Sequence, residues 1–168
     1  LAPDARTPGV PHASAPQLAR ALEHQHTMVS HARPVMAFLA EQISDTASMV
    51  ILADPNGLLL HSQGDDTFIE RAARVALRPG ASWHEQWRGT NAIGTALIQR
   101  AAVTVRGAEH YLERNAFLTC TAAPIAGPGG QLLGVIDISG DHRGFHRHTL
   151  GLVRSAARMI EHQLFEAR

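Results

Sequence analysis

Trp83 and Trp87 stand four residues apart, and the chain has no other tryptophan. Glu85, Arg88, Gly89, Thr90, Asn91 and Thr95 lie between and just after them. Flat rings supply apolar walls, and neutral hydroxyl and amide groups fix orientation. That combination suits reversible capture of a small neutral molecule better than bond-breaking chemistry. The same rings could equally close a hydrophobic core over a loop. Farther along the chain, His110, Tyr111, Phe117, Thr121 and Asp137 add polar groups and one more ring. The candidate ligand-binding set is therefore Trp83, Trp87, Thr90, Asn91, Thr95, His110, Tyr111, Phe117, Thr121 and Asp137. Arg88 stands alone and reads as a surface or capping group. Without an arginine cluster the set does not suit phosphate, which speaks against nucleotides.

Asp137 falls inside the apolar run Leu132–Ser139. A carboxylate there is costly unless hydrogen-bonded. It is either a structural acceptor for loop amides or a ligand contact. Other chemistries find less support. His110 beside Glu109 offers an acid–base pair without a nucleophile or an oxyanion feature, so no catalytic residue is expected. Cys120, the single cysteine, lies in an apolar run and reads as a buried small hydrophobe, where a reactive thiol wants exposure and a nearby cation. His142, His146 and His148 with Asp141 have a metal-like composition, but without Cys or a Glu-x-x-His pair they read as a solvated loop. No metal and no cofactor are expected.

The elements that must position these residues can be read in order. Leu1–Pro16 carries four prolines and is expected to be a disordered arm. Leu18, Leu22, Gln25, Val29, Ala32, Met36, Leu39 and Ile43 alternate spacings of four and three, a heptad seam on a helix. Pro34 should kink or divide that helix near Ala32–Arg33. Met49–Ala53 and Leu58–Ser62 flank the turn signal Asp54-Pro55-Asn56-Gly57 and read as a hairpin. Thr67–Leu77 reads as a helix. Asn91–Arg100 reads as another, with Gly94 serving close approach rather than helix propensity. Ala102–Arg106, Leu118–Ile125 and Leu132–Ser139 read as strands. A last helix carries the seam Leu150, Val153, Ala157, Ile160 and Leu164. Two seamed helices thus bracket a sheet of five to six strands in an α/β (α+β) domain.

The chain's 168 residues suit one domain. All fifteen of its basic residues are arginine and balance fifteen acidic ones. Zero net charge argues against a nucleic-acid surface. No apolar run is long enough to span a membrane. Leu1–Ser14 lacks the apolar segment of a signal peptide, and a single cysteine excludes an internal disulfide, so a cytoplasmic location is expected.

The string Trp83-x-Glu85-x-x-x-Gly89-Thr90-Asn91-Ala92-Ile93-Gly94-Thr95-Ala96-Leu97 resembles the sensor domain of acetoin-type activators of sigma-54 RNA polymerase. The resemblance continues in order through Val103-x-Val105-x-Gly107-x-Glu109-His110-Tyr111, Thr119–Ile125, Gly134–Gly140 and His148-Thr149-Leu150-x-Leu152-Val153. It implies a GAF domain over residues 17–168, with helices on both faces of a central antiparallel sheet and long N- and C-terminal helices. It further implies a small effector, an acetoin-like ketone, hydroxyketone, diol or alcohol. The implied role is transcription regulation. In full-length members an ATPase domain and a helix-turn-helix DNA-binding domain follow; neither is expected in this chain, which should not bind DNA by itself. The terminal seams suggest a homodimer that signals by helix packing. The alternatives are a small catalytic GAF-type oxidoreductase, or a dimerisation module without ligand.

Overall fold

The computed structural model describes residues 12–166. Among them, five strands form one antiparallel sheet in the order β2-β1-β5-β4-β3. The strands are β1 (Ser48–Ala53), β2 (Leu59–Gly64), β3 (Val103–Arg106), β4 (Leu118–Ala126) and β5 (Leu132–Asp141). Two layers of helix cover the sheet, which makes this the α+β arrangement of a GAF domain.

Strand alternation decides what each layer touches. On one face Met49, Ile51, Cys120, Ala122 and Val135 join a core with Phe68, Ala72, Trp83, Ile93 and Ala96. These come from α3 (Asp66–Ala73), the segment around α4 (Glu85–Arg88), and α5 (Ala92–Gln99). On the other face Val50, Leu52, Ala123, Ile125, Ile136 and Ile138 pack on α2 (His26–Gln42) and α6 (Thr149–Glu166). The seam residues Val29, Ala32, Met36, Leu39, Val153, Ala157 and Ile160 are buried here against the protein's own sheet. The stripe is therefore used within the chain.

Pro34 does not divide the second helix. The helix runs unbroken from His26 to Gln42, and the break falls at Gln25, between α1 (Ala15–His24) and α2. Pro34 and Ser30 both lie on the exposed side, where the Ser30 carbonyl left without a backbone donor can be hydrated. Pro34→Ala restores that donor in solvent. It is expected to raise the unfolding free energy by about 1–2 kcal/mol, the helix gain less the freedom returned to the unfolded chain. Urea unfolding checks this, and a loss of stability would contradict it.

Two further boundaries differ from the sequence expectation. The disordered arm expected over Leu1–Pro16 does not hold at its C-terminal end, where His12 bridges Ala81 and helix begins at Ala15, while Leu1–Pro11 lie outside the described residues. Ser14 caps that helix, its side chain accepting from Gln17 N while Gln17 bonds back to Ser14 N. The helix expected over Thr67–Leu77 stops at Ala73, and Ala76 turns the chain with φ 58°.

Candidate functional site

The stretch from Trp83 to Thr95 is bonded chiefly to itself. Asn91 caps α5, its Oδ1 accepting from Gly94 N at 2.9 Å. Its Nδ2 donates to Trp83 O and Gly89 O, both at 3.0 Å. Thr95 Oγ1 donates to Glu85 Oε1 at 2.5 Å. A Cβ on Gly94 would stand 2.8 Å from Glu85 Cγ and 2.9 Å from Trp83 O, so only glycine lets the helix meet the loop. Gly89 has φ 67°, and a side chain there would collide with the Tyr111 ring.

Trp83 is 1% exposed, and its Nε1 donates to Ala76 O at 3.0 Å. The Arg88 guanidinium stacks 4.5 Å from its ring, and Arg88 Nε donates to Ser82 O at 2.9 Å. Arg88 is therefore a buried brace and not a surface group; burial, with Arg114 nearby, lowers its pKa to about 10. Trp87 is half-buried and Thr90 exposed. Thr90 O accepts from Tyr111 N at 3.2 Å, which ties the 107–116 segment to the tryptophan loop. Tyr111 is exposed at that junction. Phe117 is half-buried between Phe68 and the Arg71 guanidinium, the latter at 4.6 Å.

Three buried groups near or beneath this loop keep hydrogen-bonding capacity unused by the protein. Asp137 is fully buried on the α3–α5 face. Its Oδ1 accepts from Ser139 Oγ, whereas Oδ2 has no protein partner. Burial is the main cause raising its pKa to about 7, with the Ser139 hydroxyl acting the other way. His110 is 4% exposed. Its Nδ1 lies 3.0 Å from Gly107 O, so the proton belongs there and Nε2 presents an unpartnered lone pair. Burial lowers the His110 pKa, which favours the neutral ring. Asn115 is fully buried with neither side-chain atom hydrogen-bonded.

Of the ten candidates, the fold brings Trp83, Trp87, Thr90, Asn91, Thr95, His110, Tyr111, Phe117 and Asp137 to the side of the sheet covered by α3–α5 and its loops. Thr121 lies on the opposite face. Ala122 is the residue paired with Asp137, so Thr121 points toward α2 and α6 and bonds Thr104 Oγ1 at 3.1 Å. Asn115, Arg88, Glu85 and Ser139 belong to the site or its frame and were not among the candidates. Glu85 and Ser139 carried a sequence signal, their places in the Trp83–Leu97 and Gly134–Gly140 blocks. Cys120 is buried beside Asp137, and burial first, then that carboxylate, pushes its thiol well up. Among the described residues no three His, Cys, Asp or Glu side chains are placed to hold a metal ion, and no helix is long and apolar enough to cross a membrane.

Comparison with known proteins fits this architecture. The acetoin dehydrogenase operon transcriptional activator AcoR of Bacillus subtilis is 38% identical over 133 residues, 79% of this chain and 22% of that protein. The propane 2-monooxygenase operon transcriptional activator MimR of Mycolicibacterium smegmatis is 38% identical over 135 residues, 79% of this chain and 23% of that protein. The chain thus spans less than a quarter of the length of these relatives, which are regulators rather than enzymes. A chain of the E. coli DhaR(N)–DhaL complex has the same fold, with TM-score 0.94, 19% identity, and coverage of 99% of this chain and 57% of that one. Residues 17–162 match the family described as "MimR, N-terminal domain", and the chain belongs to that family.

Proposed function

We propose that the chain is the effector-sensing domain of a transcriptional activator that works with sigma-54 RNA polymerase. Its effector is a small ketone, hydroxyketone, diol or alcohol, bound on the α3–α5 face between the tryptophan loop and the sheet. The supporting observation is Asp137 Oδ2, a fully buried acceptor that no protein group satisfies. Burial of such a group without a partner is costly, and a ligand hydroxyl would relieve the cost. A carboxyl with a pKa near neutrality can also donate to a carbonyl oxygen while protonated, so one residue serves both ends of a hydroxyketone. Neutral His110 offers a second acceptor. A molecule of about six heavy atoms supports micromolar to millimolar affinity.

Calorimetry with acetoin, butane-2,3-diol, acetone and glycerol tests the reading. Heat is expected from at least one oxygenated ligand, with the affinity lost in Asp137→Leu and reduced about tenfold in Asp137→Asn. Absence of heat with all four, or unchanged affinity in both folded variants, overturns it. Cys120→Ser should retain binding; a thiol-dependent oxidoreductase would instead lose its activity. ATP hydrolysis and DNA contact fall to other parts of the full-length cytoplasmic protein. With the central seam residues buried, a homodimer would use the outer sides of the terminal helices, where Phe38 is 45% and Met159 43% exposed. Light scattering should then give twice the chain mass, and a concentration-independent monomer removes the dimer.

A further inference from the structure

A cavity of about 590 Å³ opens on the face of the sheet away from Asp137, between the C-terminal end of α2 and the N-terminal end of α6. We infer that it is a second binding site, for a neutral molecule of ring size with an apolar body and one oxygen that accepts a hydrogen bond. Its depth comes from missing side chains. Gly140 is the residue paired with Thr119, so no side chain fills the floor beside that threonine. Gly151 lines the cavity from the first turns of α6, and a Cβ built there would meet nothing within 4 Å.

Two properties of the wall define the ligand. Ile43, Ile138, Phe145 and Leu152 make it largely apolar, which calls for a hydrocarbon body. Thr119 supplies the directional group. It is 5% exposed, it lines the cavity, and its Oγ1 has no hydrogen-bond partner. The neighbouring Thr121 hydroxyl is already paired with Thr104. A donor hydroxyl facing an apolar chamber fits a carbonyl or ether oxygen. The charge at the rim argues for neutrality. Asp141 borders the cavity, but Arg71 at 2.8 Å and Arg143 at 3.1 Å engage its carboxylate. His146 and His148 also line the cavity, but it offers a ligand anion no unspent arginine and a ligand cation no unspent carboxylate. An aryl ketone has the required shape and polarity. Because Gly151, Leu152 and Ser155 of α6 form one wall, an occupant bears directly on how α6 seats on the sheet.

Acetophenone is the probe, followed by methyl NMR of the whole chain with Ile and Leu methyls labelled. Shifts are expected at Ile43, Ile138 and Leu152, with Ile51 and Ile93 on the opposite face unmoved. Thr119→Val keeps the shape and should weaken acetophenone about fivefold, the cost of one hydrogen bond. Gly151→Phe should abolish binding by filling the mouth, and its fold is safe because helix propensity rises on losing the glycine. Acetoin binding at Asp137 should survive both substitutions. This keeps the two sites separable: failure of acetoin to bind leaves the cavity unaffected. No methyl shift, shifts confined to the α5 face, or unchanged acetophenone affinity in folded Gly151→Phe each overturns the inference.

Discussion

Asn91→Ala is expected to cost about 3–5 kcal/mol of unfolding free energy. The side chain is 1% exposed, and all three of its hydrogen bonds go to backbone. Truncation removes the cap of α5, worth about 1 kcal/mol or somewhat more. It also strands the buried Trp83 carbonyl and the half-buried Gly89 carbonyl, each at roughly 1–2 kcal/mol. Asn91→Asp separates these contributions. It preserves the acceptor toward Gly94 N but turns an oxygen toward two carbonyl oxygens, so most of the loss remains. Asn91→Ser recovers only the cap. Urea unfolding with an unchanged slope would report these as true stability differences. A loss under about 1 kcal/mol in the alanine variant would mean that the loop does not depend on this clasp. Effector affinity should fall with stability, since the same clasp holds the Trp83 backbone through its carbonyl.

That clasp shows what could and could not be read from residues alone. The string from Trp83 to Thr95 marked the right stretch, and Gly94 was legible as a point of close approach. Its chemistry was harder to read. Polar groups such as Asn91 and Thr95 look the same in a sequence whether they face a ligand or the neighbouring loop, and here they bond Trp83, Gly89 and Glu85. Period-two alternation divides a strand such as β4 or β5 into two faces. It could not say which residue of β4 stands beside Asp137, because register is set by cross-strand pairing. Thr121 was therefore grouped with a carboxylate on the other side of the sheet. Arg88 reads as a surface or capping group because arginine is rarely buried, whereas its burial depends on the Trp83 ring and the Ser82 carbonyl. Pro34 was misread for a related reason: its cost falls on an exposed carbonyl, while the buried stripe on the opposite side holds α2 together. The five strands and the buried stripes of α2 and α6 followed from periodicity, which reports burial directly, whereas helices on both faces were implied by the resemblance.

The Asp137 contribution to stability should fall as pH rises from about 4 to 7, read as a more negative slope in the wild type than in Asp137→Asn. The sign follows from proton binding. The ordinary pKa of 3.8 applies to Asp137 in the unfolded chain, and the folded value is about 7. Below pH 3.8 the group is protonated in both states and its contribution to stability is fully present. Between the two values the unfolded chain releases the proton while the folded protein keeps it, so unfolding is favoured progressively. Above pH 7 both states are ionised and the effect levels off. A shift of this size corresponds to about 4 kcal/mol at most. Asp141 opposes it at the acid end. Its pKa is lowered, with the hydrogen bond from Arg143 as the largest cause and Arg71 assisting, so its contribution is lost as pH falls below about 4. His110 and His61, whose pKa values burial lowers, add stability as pH rises toward 6.5, so the Asp137 effect is isolated as the difference between the wild type and Asp137→Asn. Ser139→Ala isolates the buried carboxyl, because Ser139 donates to the ionised form and its loss moves the descending limb to higher pH. An identical slope in the wild type and Asp137→Asn would show that the carboxylate is solvated in the folded protein. The unsatisfied oxygen that supports effector binding would then already have water as its partner.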